Sequence, residues 1–152
     1  MGDEGVGVHA VRLLEERFAD EGRPPGVAVV DGGTGGLHLL ELLHDHDPVV
    51  LIDATMDGQP AGTVSFLEPR FPSEIPRTLT AHDIGLRDLV EASALTGRLP
   101  RLLLVTVSIT EILPMETALS PPVAASLPAV LDEVRSLLSA LLPAKGTSSG
   151  TP

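Results

Sequence analysis

Val49-Val50-Leu51-Ile52-Asp53 is the stretch that decides the fold. It is a short, continuously apolar run, rich in β-branched residues, that stops at a carboxylate. A run of this kind reads as a strand buried on both faces. Leu102-Leu-Leu-Val-Thr-Val107 is a second and more apolar example, and Val27-Ala-Val-Val30, closed by Asp31-Gly-Gly, is a third. Helical patterns separate these runs. They are expected from about Val6 to Ala19, from Thr34 as N-cap to about His44, from about Ile84 to Leu95, and from about Pro122 to Leu142. Gly62 to Leu67 alternates apolar and polar residues, as an edge or antiparallel strand does. Glu68 to Arg77 and Ser108 to Pro122 are proline-containing connections.

Apolar strands that alternate with helices predict an α/β protein: a three-layer α/β/α sandwich around a mostly parallel sheet. The expected order is α-β-α-β-β-α-β-α. Residues 1–143 read as one domain, and residues 144–152 as a disordered tail rich in Gly, Ser, Thr and Pro.

Composition narrows the function classes. The chain has 152 residues, of which 43% are hydrophobic and only 2% aromatic, so Leu, Val and Ala must build the core. A formal net charge of -11 repels phosphate backbones, and the lack of Trp and Tyr removes most stacking platforms; no nucleic-acid partner is expected. There is no cysteine, which excludes disulfides, thiolate metal sites and a Cys nucleophile. Asp3 and Glu4 stand where a signal peptide would be basic, and the apolar runs are too short to span a bilayer. The expectation is a soluble cytoplasmic protein that does not engage membranes.

In open α/β sheets, ligands sit beyond the carboxyl ends of the strands. That rule selects the turn Gly2-Asp-Glu-Gly-Val-Gly7, the loop Asp31-Gly32-Gly33-Thr34-Gly35-Gly36, and Asp53; His82, just before a helix, is a fourth candidate. Glu4, Asp53 and His82 can thereby converge on one rim. Two carboxylates and an imidazole make a first shell for a divalent metal such as Zn, Ni, Mn or Fe. The pattern is equally compatible with a helix cap or a loop carboxylate. His44-Asp-His-Asp47 looks metal-like but reads as a solvated helix end, where histidine suits the dipole. The glycine-rich loop at Asp31 lacks the Gly-x-Gly-x-x-Gly spacing, and no Walker A or His-Glu-x-x-His motif occurs.

Gly2-Asp-Glu-Gly-Val-Gly7, Asp31-Gly-Gly-Thr-Gly35, Leu51-Ile-Asp-Ala54, Ala81-His-Asp-Ile-Gly-Leu86 and Leu119-Ser-Pro-Pro-Val-Ala-Ala-Ser-Leu-Pro128 together resemble the hydrogenase maturation protease family. The resemblance implies an endopeptidase that removes a C-terminal extension from the large-subunit precursor of a nickel–iron hydrogenase. It implies that Glu4, Asp53 and His82 form a metal site that meets nickel supplied by the precursor, with other divalent metals able to substitute. It further implies that Asp31, Gly32, Gly33, Thr34 and Gly35 meet the substrate near the cut, and a monomer is expected. A non-catalytic nickel-sensing or chaperone domain, or a small-molecule or nucleotide-binding α/β domain using Asp31 to Gly36, are the alternatives.

The family begins with an apolar strand ending in Gly-x-Gly-Asn, beside the strands that end at Asp31 and Asp53. This chain starts at the turn that follows it, so a start upstream of Met1 is expected. Without that strand the chain would be an inactive, less stable fragment.

Overall fold

The computed structural model describes residues 2–30, 36–76, 78–79, 86–95, 100–111 and 118–142. A 3-10 turn, Gly2–Gly5, leads into α1 (Val6–Glu21). Then come α2 (Gly36–Asp45), β1 (Val49–Thr55), β2 (Val64–Leu67), α3 (Leu86–Leu95), β3 (Leu102–Ser108) and α4 (Pro121–Leu141). The side chains of Glu4, residues 36–40, Leu86 and Leu89 lie outside the described set, as does the expected tail.

The sheet has the order β1-β3-β2. β1 runs parallel to β3 in the register Val49↔Leu102 to Thr55↔Ser108. β2 is antiparallel to β3, with Val64 opposite Val107 and Leu67 opposite Leu104. The alternating pattern of residues 62–67 thus marked an antiparallel strand, which lies at the edge of the sheet formed by the described residues. All seven residues of β3 are buried, which is why that run carries the most apolar sequence.

Side chains alternate across a sheet with period two, and the two faces of β3 fill two cores. Val105 and Val107 pack with Val6, Ala10, Leu14 and Phe18 of α1 and with Val123, Val130, Leu131 and Val134 of α4. The α1 residues recur every four positions, so one stripe of the helix meets the sheet. Leu102 and Leu104 pack on the other face with Leu43 of α2, Val90 of α3 and Ile75. The result is helices on both sides of a mixed sheet, the expected α/β architecture.

Each helix end has a local cause. α1 stops at Gly22, whose φ of 96° needs no Cβ and whose N–H reaches the Phe18 carbonyl at 2.8 Å. α4 begins with prolines in its first turn, where no intrahelical N–H is needed, yet it also runs through Pro128. Buried Ser126 on one side of Pro128 and Val130 and Leu131 on the other hold both halves to the same core.

Two expectations are corrected. Val27–Val30 is not a strand. Val27 and Val29 pack against the α1–α4 core while Ala28 and Val30 are exposed, so the segment keeps strand-like alternation. It makes no ladder with another strand among the described residues. Apolar content chooses which side chains turn inward, but a strand also needs a partner for its N–H and C=O groups. The second correction concerns Asp53. It does not end β1: the strand continues to Thr55, and Asp53 pairs with Thr106 within it.

Candidate functional site

Asp53 is a carboxylate kept inside a ladder, only 6% exposed. Burying such a group is costly unless its oxygens are hydrogen-bonded. The Ala54 N–H donates to its Oδ1 at 2.8 Å. By strand alternation Asp53 lies on the same face as Leu51, which packs in the α2–α3 core.

The outer edge of β1 beside Asp53 is where other segments arrive. The Val49 N–H donates to Arg101 O and the Ile109 N–H donates to Thr55 O, each at 2.9 Å. In a parallel ladder these bonds turn odd-numbered residues of β1 toward β3, so the Ile52 carbonyl faces the outer edge. Gly7, in the first turn of α1, sits against that carbonyl, and a Cβ at Gly7 would lie 2.5 Å from the oxygen. Glycine at this position is what lets the helix start touch the strand one residue before Asp53. The backbone of Glu4 belongs to the 3-10 turn immediately before that contact.

A second segment reaches the same end of β1. The Met56 N–H donates to Thr78 O at 3.1 Å, and Thr55 forms an antiparallel bridge with Leu79. The hydroxyls of Thr55 and Thr78 meet at 2.6 Å. Residues 78 and 79 are the approach to His82, which itself lies outside the described residues. Among the three proposed ligands, then, the structure describes Asp53 fully, Glu4 by its backbone and His82 not at all. Asp31, Gly32, Gly33, Thr34 and Gly35 also lie outside the described residues. Among described residues, no group of three or more His, Asp or Glu side chains is gathered to hold a metal.

The His44–Asp47 segment has ordinary structural partners. All four residues are exposed, and His46 Nδ1 donates to the Leu42 carbonyl at 3.0 Å, closing the end of α2. Asp47 Oδ1 accepts the Arg101 N–H at 3.0 Å, which ties this loop to the start of β3.

One residue of the rim escaped the sequence reading. Asp3 accepts the Ser120 N–H on Oδ1 at 2.6 Å and the Ser120 hydroxyl on Oδ2 at 2.7 Å. Ser120 is the N-cap of α4, yet its own side chain makes no cap bond to that helix. Asp3 places a negative charge at the positive end of the helix instead. A faint signal existed: Ser followed by Pro-Pro marks a helix start, and such a start attracts anions. Nothing local, however, connects positions 117 residues apart.

Other bonds complete the rim. Ser108 Oγ donates to Asp57 Oδ1 at 2.9 Å, and the Gln59 N–H donates to the same oxygen at 3.1 Å. Gly62, with φ of 91°, lies so close to the Pro122 carbonyl that a side chain there would overlap it. Among the described residues, no helix is long and apolar enough to cross a membrane.

The family model described as Hydrogenase maturation protease matches residues 8–137. The chain is 37% identical over 131 residues to the hydrogenase expression/formation protein HupM of Azotobacter chroococcum, covering 82% of this chain. It spans only 60% of that relative's length. It is 32% identical to the Hydrogenase 2 maturation protease of Escherichia coli over 90% of this chain and 82% of that protein. The solved structure of the hydrogenase maturating endopeptidase HybD from E. coli superposes with a TM-score of 0.77 at 30% identity, covering 91% of this chain and 85% of HybD. With a matched family model over most of its length and a shared fold, this chain belongs to the hydrogenase maturation protease family.

Proposed function

We propose that the chain is an endopeptidase that removes the C-terminal extension of a nickel–iron hydrogenase large-subunit precursor, working in the cytoplasm as a monomer. The carrying observation is the convergence at the C-terminal end of β1. The Glu4 turn and the segment leading to His82 both reach the strand end that holds buried Asp53.

Glu4, Asp53 and His82 offer two carboxylates and one imidazole, donors that suit nickel. In this reading the nickel arrives seated in the precursor, and the three side chains recognise it from the protease side. Only a loaded precursor then presents the feature that aligns the two proteins. Held by Glu4, Asp53 and His82, the metal would supply Lewis acidity and would lower the pKa of water. Asp53 and Glu4 serve as ligands in this scheme, and a carboxylate occupied by metal is a poor general base. Asp31, Gly32, Gly33, Thr34 and Gly35 form the loop that meets the precursor backbone near the cut, where glycines permit close approach.

The test is to incubate purified precursor, with and without nickel, with this protein and to measure the mass of the large subunit. A shortened subunit in the nickel-loaded sample alone supports the reading. A precursor that binds but stays full-length would point to the non-catalytic, nickel-sensing role instead.

A further inference from the structure

The turn that carries Glu4 is only four residues long, Gly2–Gly5, and two of those are glycines. Such a turn has little intrinsic rigidity, since glycine loses the most conformational freedom on ordering. Two contacts nevertheless fix it. On its C-terminal side, Gly7 rests on the Ile52 carbonyl of β1. On its N-terminal side, Asp3 grips Ser120 through both carboxylate oxygens, at 2.6 and 2.7 Å, from a part-buried position. Glu4 lies between these anchors. Ser120 is itself well held, because α4 is fastened to the sheet by Val123, Val130, Leu131 and Val134.

We infer that Asp3 is a positioning residue, whose grip on Ser120 sets where the Glu4 turn stands over the Asp53 end of β1. The inference rests on the proposed function, which places Glu4 and Asp53 at the reacting centre. Both carboxylate oxygens of Asp3 are turned to Ser120. Charge-assisted bonds of this length are stronger and more directional than neutral ones. A displacement of about 1 Å at a catalytic group is enough to slow a reaction about a hundredfold.

The experiment is steady-state processing of the nickel-loaded precursor by wild type, Asp3→Ala, Asp3→Asn, Ser120→Ala and the Asp3→Ala/Ser120→Ala pair. Asp3→Ala should lower kcat about tenfold to a hundredfold while KM stays within about twofold. Asp3→Asn should recover part of the loss, because its carbonyl oxygen still accepts the Ser120 N–H. Ser120→Ala, which loses only the hydroxyl, should slow turnover about threefold. The pair should be no slower than Asp3→Ala, as expected when two residues act through one contact. Should Asp3→Ala not fold, Asp3→Asn and Ser120→Ala carry the same comparison.

Unchanged kcat in the Asp3 variants, or losses that multiply in the pair, would overturn the inference. So would a rise in KM at constant kcat, which would put Asp3 on the substrate. Val134→Ala, a buried change in α4, is the stability control; an equal fall in kcat there would reduce Asp3 to general loosening. A wild type that leaves the precursor uncut removes the functional reading, and this inference with it. That outcome is distinct from a wild type that cuts, loses activity on Glu4→Ala, and keeps it on Asp3→Ala.

Discussion

The two ends of the sheet are held in different ways. At the end where β3 begins, Arg101 joins the sheet to its surroundings by contacts at the exposed surface. Its guanidinium meets Glu68 at 2.6 Å, with the two side chains 54% and 36% exposed, and its N–H meets Asp47. At the opposite end, the fastenings are more enclosed. Asp3 grips Ser120, Thr55 meets Thr78, and Gly7 and Gly62 let backbones touch where no side chain would fit. Exposed ion pairs contribute little and tolerate movement. Enclosed hydrogen bonds and close glycine contacts leave less room for movement. The precision lies at the end that carries Asp53, which is what a site built from several chain segments requires.

If that contrast is right, substitutions at the Asp53 end should depress processing out of proportion to stability. The largest effect is expected for Asp53→Asn, which keeps shape but removes the charge; processing rate should fall about a hundredfold or more, the scale seen when a group at a reacting centre is lost. A precursor-processing assay paired with a melting curve separates the two readouts. Gly7→Ala comes next. Its methyl would lie 2.5 Å from the Ile52 carbonyl, so α1 or β1 must shift. A loss of about 1–3 kcal/mol in denaturant unfolding is expected, with slowed processing because the Glu4 turn moves too.

Thr55→Val is milder. It removes the hydroxyl that meets Thr78 from a side chain that is otherwise buried, and about 1 kcal/mol is the expected cost in the same unfolding measurement. At the other end, Glu68→Ala should leave processing unchanged and barely move the melting curve. The Arg101 hydrogen bond holds the Glu68 carboxyl below its ordinary pKa. A carboxylate whose folded pKa is depressed stabilises the protein above its unfolded pKa and loses that contribution as pH falls through the folded one. The wild-type advantage over Glu68→Ala should therefore be small at neutral pH, vanish in acid below the ordinary carboxylate range, and shrink with added salt. A large effect of Glu68→Ala on processing would erase the distinction between the two ends.

The sequence carried the frame of this fold because burial leaves a local trace. The apolar runs at residues 49–52 and 102–107 are β1 and the buried β3, and the alternation at residues 62–67 is the antiparallel β2. Val27–Val30 misled for a physical reason: its side chains alternate inward and outward as a strand's do, but no residue pattern records that it has no ladder partner among the described residues. Asp53 was legible as a candidate from its place after an apolar run. Its position inside the strand was not, because a polar residue in such a run usually signals the exit from the core. Here it stays buried, with Ala54 donating to it. The Asp3–Ser120 contact was the least legible, since the two residues meet only after α4 has folded back across the sheet.

The central claim is that a metal-recognising endopeptidase site stands at the Asp53 end of β1. It is tested most directly by mass spectrometry of a nickel-loaded large-subunit precursor after incubation with wild type and with Asp53→Asn of unchanged thermal stability. The account predicts a shortened subunit with wild type and a full-length one with Asp53→Asn. Equal shortening by both proteins would contradict it.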